Sequence, residues 1–143
     1  MTKAIIISVG SEIDSGHIKD QNAPFIASKL SEIGYHILSQ MIVGDISEAL
    51  QSALQVALHK AAVIVITGGL GPTRNDITRE NVADVCNVTL RLDEESHTHL
   101  KRLTNNTHTT KYVNNVKQAM IPEGGTVIPN FSGTATGFFI HSH

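Results

Sequence analysis

The chain has 143 residues, of which 41% are hydrophobic and 17% charged, and this composition excludes a disordered chain. The formal net charge is −2, with no basic stripe that would neutralise a nucleic-acid backbone. A single cysteine, Cys86, excludes an internal disulfide. No apolar stretch reaches membrane-spanning length. We therefore expect one cytoplasmic domain over residues 1–143, whose partner is a small molecule and neither nucleic acid nor a membrane.

The first half of the chain alternates between strand and helix patterns. A nearly unbroken apolar run at 4–9 predicts a strand buried on both faces, and residues 35–43 and 62–66 predict two further strands, of which the last is the most apolar. Between them, Asn22 is predicted to cap a helix that stops at Gly34, and apolar residues at helical spacing follow Asp45. This alternation predicts a three-layer α/β/α fold with a mostly parallel central sheet.

The second half of the chain predicts further helices and a hairpin. Apolar residues from Ile77 to Cys86 keep helical spacing, and residues 93–103 begin with acidic and end with basic side chains, which suits the helix dipole. The Thr- and Asn-rich segment 104–115 predicts an exposed loop. Short strands are predicted at 126–128 and 137–140, joined by a turn over residues 129–133.

Glycine and polar residues collect where the three predicted parallel strands end, and ligands of such sheets bind at this edge. The strands are followed by Gly10-Ser11-Glu12, by Gly44-Asp45 and by the glycine-rich segment Thr67-Gly68-Gly69-Leu70-Gly71-Pro72-Thr73. Closely spaced glycines can present several backbone N–H groups to one anion, so this segment predicts a phosphate site. The alternative is that Gly68, Gly69 and Gly71 only make a tight connection between strand and helix.

Three carboxylates accompany this edge. Asp76 lies five residues past Gly71, where it would ligate a Mg²⁺ ion bound to phosphate oxygens, and Asp45 or Glu12 would position an attacking water. Helix capping is the alternative role for Asp76 and Asp45, and simple solvation for Glu12. The eight histidines show no spacing typical of a zinc site.

The glycine-rich segment 67–73, with Asp76 and Thr78, closely resembles the signature of the amino-terminal domain of the competence/damage-inducible protein A (CinA) family, which is similar to the molybdopterin-binding domains of MoaB and MogA. Further matching positions follow in order along the chain: Gly10-Ser11-Glu12, Asn22, Val43-Gly44-Asp45, Gln118-Ala119-Met120-Ile121-Pro122 with Gly124, and Asn130 with Gly133-Thr134-Ala135.

The resemblance implies the three-layer fold and two candidate functions. One is metal-dependent hydrolysis of ADP-ribose, with Mg²⁺ or a similar divalent cation and K⁺ as a further candidate; the other is binding of molybdopterin or a nucleotide without turnover. The Gly-Pro-Thr form of the segment favours the first. The implied roles are catalysis by Asp76, Asp45 and Glu12, metal binding by Asp76 and Glu12, and ligand binding by Ser11, Asn22, Thr67, Gly68, Gly69, Gly71, Pro72, Thr73, Gly133 and Thr134.

The sequence departs from the family pattern at several positions. Asn75 replaces a first Asp, Thr136 replaces a Pro, and Asp14-Ser15 replace leucines. The sequence ends at His143, before the family's Leu-Pro-Gly-x-Pro segment, so we expect a domain that is short at its carboxyl end. An apolar sheet edge left open there predicts a homo-oligomer, and action through oligomer contacts alone is a third candidate function.

Overall fold

The computed structural model describes residues 1–104 and 115–142, and the chain folds as two compact units, Met1–Gly69 and Leu70–His143. The predicted loop 104–115 lies almost entirely outside the described residues. The prediction of a single domain over residues 1–143 stays a prediction.

The first unit is built on a parallel sheet, as predicted. Its strands are β1 (Lys3–Val9), β2 (His36–Val43) and β3 (Val63–Thr67), in the order β2-β1-β3. The central strand β1 pairs in parallel with both neighbours and is buried from Ala4 to Val9. A strand with a neighbour on each side and both faces covered has no solvent-facing position, which explains its unbroken apolar run.

Three helices accompany this sheet: α1 (Ser11–Asp14), α2 (Asn22–Glu32) and α3 (Ser47–Lys60). Helices α2 and α3 both pack against β1 and β2. The buried residues of α3 are Leu50, Leu54 and Ala57, spaced four and three apart as an amphipathic helix requires. Gly34 has a φ of 90° just after α2, in agreement with its predicted role as the helix stop.

The start of α2 corrects one prediction. Asn22 is the first residue of the helix and not its cap. The capping group is the carboxylate of Asp20, whose Oδ1 accepts hydrogen bonds from the backbone N–H of Asn22 at 2.9 Å and of Ala23 at 3.2 Å. A carboxylate at a helix start satisfies orphan donors and interacts favourably with the helix dipole.

The second unit contains two short antiparallel pairs. Strand β4 (Leu90–Leu92) pairs with β5 (Met120–Pro122), and β6 (Thr126–Ile128) pairs with β7 (Gly137–Phe139). Its helices are α4 (Thr78–Val85), α5 (Glu94–Thr104) and a 3₁₀ turn at Val116–Ala119. The predicted helices and the β6–β7 hairpin are confirmed. The sequence patterns did not predict α1, β4 or β5.

Candidate functional site

The carboxyl ends of the three parallel strands meet at one edge of the first unit's sheet. Here Ser11 and Asp45, which follow β1 and β2, are joined twice. The Ser11 N–H donates to Asp45 Oδ2 at 3.2 Å, and the Asp45 N–H donates to Ser11 Oγ at 3.1 Å. The structure therefore brings together two predicted site residues that lie 34 positions apart in the sequence.

Gly68 and Gly69 follow β3 at the same edge. Their φ angles are 86° and 68°, a left-handed region that other residues rarely adopt. A Cβ atom added at Gly68 would overlap the carbonyl oxygen of Val9, on the neighbouring strand β1. Only glycine fits this position, and the backbone of the exposed Gly68 and the half-buried Gly69 carries no side chain.

The other predicted residues of this unit lie near the same strand ends. Glu12 is exposed and belongs to the short helix α1, where the sequence predicted a loop. A Cβ atom added at Gly10 would lie 3.8 Å from Oε2 of the Glu12 carboxylate. Asn22 is exposed in the first turn of α2. These positions leave both side chains accessible to solvent.

A partly buried chain of polar side chains lies at this edge, and no sequence pattern predicted it. Ser8 of β1 is fully buried and donates a short hydrogen bond to Asp20 Oδ2, while Thr67 of β3 donates to Ser8 Oγ at 3.5 Å. Burial alone would raise the pKa of Asp20, but hydrogen bonds from Ser8, Ala23 and Asn22 outweigh it and lower the pKa. The ionised carboxylate thus ties the start of α2 to the end of β1.

In the second unit, the glycine-rich segment continues and closes around Asp76. Thr73 donates twice to Asp76 Oδ2, from its N–H at 2.8 Å and its hydroxyl at 2.7 Å. The Gly71 N–H also donates to this carboxylate, and a Cβ atom at Gly71 would lie 2.7 Å from Oδ2. The donors of Gly71 and Thr73 therefore converge on an anion, as a phosphate nest would, but the anion is the protein's own carboxylate.

The pKa of Asp76 reflects this arrangement. Partial burial alone would raise it, but the hydrogen bonds from Thr73 and Gly71 and the positive charge of Lys117 lower it below its ordinary value. Lys117 also donates from Nζ to the carbonyl oxygens of Thr73 at 2.9 Å and of Asp76 at 2.7 Å. Lys117 Nζ also lies 3.3 Å from Glu80 Oε1. Its two hydrogen bonds to carbonyl oxygens hold the segment from Thr73 to Asp76 in place.

Arg79 is the second cation of this unit that sequence reasoning missed. Its side chain is fully buried, and Nη2 donates to the carbonyl oxygen of Leu70 at 3.0 Å. Its Nε and Nη1 atoms have no hydrogen-bond partner among the described residues. Burial lowers the pKa of this guanidinium, against the opposing charges of Glu80 and Asp76. A buried cation beside the segment was not predictable from an exposed-looking Thr-Arg-Glu sequence.

The late predicted residues, Gly133 and Thr134, lie in the turn between β6 and β7. The N–H groups of Ser132 and Gly133 donate to Asn130 Oδ1 at 3.1 and 3.0 Å. Thr134 donates from its hydroxyl to Gln118 Oε1 at 2.7 Å. These contacts organise the turn; binding roles for Gly133, Thr134 and the half-buried Pro72 stay predictions.

A metal centre was predicted at Asp76 and Glu12, and these residues belong to different units. Within residues 1–104 and 115–142, no group of three or more His, Cys, Asp and Glu side chains is arranged to hold a metal ion. In the same residues, no helix is long and apolar enough to cross a membrane.

Comparison with known proteins decides the family. The family model described as "Probable molybdopterin binding domain" matches residues 5–138. The chain belongs to this molybdopterin-binding domain family. Within the family it is similar to the competence-damage inducible proteins of Natranaerobius thermophilus and Acetivibrio thermocellus, with 42% identity to each over 94% and 96% of the chain. The predicted resemblance is therefore confirmed. The chain spans 33% of the length of both relatives.

Solved structures confirm the fold class. The protein CinA from Thermoplasma acidophilum superimposes with a TM-score of 0.89 and 34% identity, covering 96% of this chain and 80% of that one. The tungsten cofactor synthesizing protein MoaB from Pyrococcus furiosus has a TM-score of 0.59 at 24% identity, over 96% of this chain and 80% of that one. The latter likeness shows the α/β fold alone.

Proposed function

We propose that this chain binds a phosphate-bearing pterin or nucleotide, and that the phosphate lies at Gly68 and Gly69. The observation that carries this proposal is the side-chain-free backbone of these two glycines, with φ angles of 86° and 68°, at the carboxyl ends of three parallel strands. Ligands of open α/β sheets bind at this edge. The molybdopterin-binding family supports a pterin or nucleotide as the ligand class.

The neighbouring residues suit such a ligand. Ser11 offers a hydroxyl group, and Asp45 offers carboxylate oxygens that accept hydrogen bonds from an amino group on a pterin or adenine ring. Their two mutual hydrogen bonds hold both residues in place before a ligand arrives. The N–H groups of Gly71 and Thr73 already donate to the carboxylate of Asp76. We therefore place the phosphate at Gly68 and Gly69, which precede them.

A second candidate, metal-dependent hydrolysis of a nucleoside diphosphate sugar such as ADP-ribose, has weaker support. Mg²⁺ takes oxygen ligands in octahedral geometry, and Asp76 Oδ2 already accepts two hydrogen bonds from Thr73. The described residues offer no cluster of three ligands. They do not fit a magnesium site, so we assign no hydrolytic step to Asp76, Asp45 or Glu12 and offer no role for K⁺.

Titration calorimetry with AMP, ADP-ribose and a pterin monophosphate tests the binding function. We expect saturable binding of at least one compound in buffer with EDTA, because no metal is required. In parallel, the chain is incubated with ADP-ribose and Mg²⁺, and AMP is sought by chromatography. No binding of any compound would overturn the proposal. AMP formation that is lost in Asp76→Ala and retained in Asp84→Ala would instead favour the hydrolase.

A further inference from the structure

A second candidate site lies wholly within the second unit, between α5 and the β6–β7 hairpin. It is a pocket of about 680 Å³, which falls within the range typical of small-molecule sites. His99 and Arg102 line it from the helix, and Val127 and Phe131 line it from the hairpin. Neither the family match nor the proposed function assigns this pocket a role.

The frame of the pocket is fixed by hydrogen bonds within the unit. The hydroxyls of Ser96 and Thr136 are 2.8 Å apart and join α5 to the residue before β7. Asn130 donates from Nδ2 to the carbonyl oxygen of Ala135 at 2.9 Å and also accepts from the turn amides. These bonds join groups of the second unit to one another, so they hold the frame of the pocket in place.

The groups that remain available define the ligand's chemistry. His99 Nε2 is buried and has no hydrogen-bond partner among residues 1–104 and 115–142, an arrangement that costs free energy until a partner is supplied. Arg102, three residues further along the same helix face, also lines the pocket, and the ion pairs among residues 1–104 and 115–142 do not include it. Phe131 is 88% exposed, so its ring is open to contact with another molecule.

The lining also contains carboxylates, which limit the anion that fits. Asp93 Oδ2 accepts from the Ser96 N–H at 2.9 Å, and Oδ1 lies 3.8 Å from Arg91, so this charge is already compensated. Glu95 is exposed at the rim. A compound with one anionic group placed at the helix and an uncharged ring suits this distribution better than a polyanion.

We propose that this pocket binds a small aromatic monophosphate, with its ring against Phe131 and Val127 and its phosphate at His99 and Arg102. Arg102 supplies paired N–H donors for phosphate oxygens, and His99 Nε2 gains the missing partner. The proposal does not depend on the glycines of the first unit.

Nuclear magnetic resonance titration of the chain with phenyl phosphate tests this site. We expect saturable shifts of the His99 ring and Phe131 signals, with weaker effects from phenol and from inorganic phosphate. Arg102→Gln should raise the dissociation constant about tenfold, and Phe131→Ser should also raise it. Lys101→Gln, the matched loss of charge on the same helix, should change it less than about twofold.

The outcomes separate this proposal from the proposed function. Gly69→Ala should leave phenyl phosphate binding unchanged even if it weakens AMP binding. Unmoved His99 signals, or equal weakening by Arg102→Gln and Lys101→Gln, would overturn the pocket proposal. Equal shifts by inorganic phosphate and phenyl phosphate would remove the role of the ring and overturn it as well.

Discussion

Asp76 and Thr73 are joined by two hydrogen bonds to a single carboxylate oxygen, from the Thr73 N–H at 2.8 Å and its hydroxyl at 2.7 Å. With the bond from Gly71, they close the end of the glycine-rich segment into a compact turn. This arrangement favours the ionised carboxylate, because hydrogen bonds to a charged acceptor are the stronger ones and the ionised form only accepts. The turn is consequently sensitive to the charge of Asp76.

Asp76→Asn should lower the free energy of unfolding at pH 7 by about 1–2 kcal/mol and flatten its dependence on acid pH. The pKa of Asp76 is lowered from its ordinary value of 3.8, so its contribution is present above that value and is lost as pH falls through the lower folded pKa. Urea unfolding between pH 7 and pH 2 measures both effects. The exposed charge-matched change Asp84→Asn should alter neither, and a profile of Asp76→Asn that parallels the wild type would contradict this role.

Gly68→Ala should destabilise the chain by more than the cost of a left-handed alanine. That cost is about 1–2 kcal/mol, and the overlap with the Val9 carbonyl oxygen should add about 1–3 kcal/mol. Gly34→Ala is the matched control, because Gly34 also has a positive φ but nothing within 4 Å of an added Cβ. Chemical denaturation compares the two variants, and equal losses would mean that the close approach of β1 and Gly68 is unimportant.

Ser8 and Asp20 should be energetically coupled. Ser8→Ala removes the hydrogen bond to Asp20 and the long one from Thr67, at a cost of about 1 kcal/mol. Asp20→Ala also removes the acceptor for the first amides of α2, so it should cost about 2 kcal/mol. The double variant should be less harmful than the sum of the two, with a coupling of about 1 kcal/mol in a double-mutant cycle. Strict additivity would show that the short contact between Ser8 and Asp20 contributes nothing.

Lys117→Met should loosen the segment from Thr73 to Asp76, because Nζ binds both of their carbonyl oxygens. The Asp76 N–H, which donates to the Thr73 carbonyl at 3.2 Å, should exchange with deuterium about tenfold faster. Lys101→Met on α5 removes the same charge without touching the segment and should leave this rate unchanged. Unaltered exchange in Lys117→Met would show that Lys117 does not hold the segment from Thr73 to Asp76 in place.

Sequence patterns predicted the parallel sheet well because its central strand β1 is buried on both faces and its neighbours β2 and β3 are rich in β-branched and other aliphatic residues. β1 is apolar at nearly every position, and its burial depends on that property alone. Strands β4 and β5 have three residues each, and unlike the equally short β6 and β7 they are not joined by a nearby turn. Leu90 pairs with Pro122 across 32 positions, so nothing local marked them as strands.

The site was predictable only where backbone geometry determines it. The adjacent glycines Gly68 and Gly69 predict left-handed backbone from the sequence itself. Arg79, Lys117 and Asp20 act through partners distant in the chain or through burial, and no spacing rule specifies these contacts. Asn22 was wrongly predicted as the cap because Asn and Asp are both good capping residues, and the fold selects Asp20 by adding the bond from Ser8.

The most direct test of phosphate binding at the two glycines is the dissociation constant of AMP for Gly69→Ala and Gly34→Ala, measured by calorimetry. Both variants carry Arg102→Gln, so that binding of AMP at the pocket of the second unit is weakened about tenfold. Gly69→Ala places a side chain on the proposed phosphate-binding backbone, and the constant should rise at least about tenfold. Gly34→Ala introduces similar backbone strain at the opposite ends of the strands. Its dissociation constant for AMP should stay within about twofold of that of the Arg102→Gln parent. Equal affinity of the two variants for AMP would contradict phosphate binding at Gly68 and Gly69.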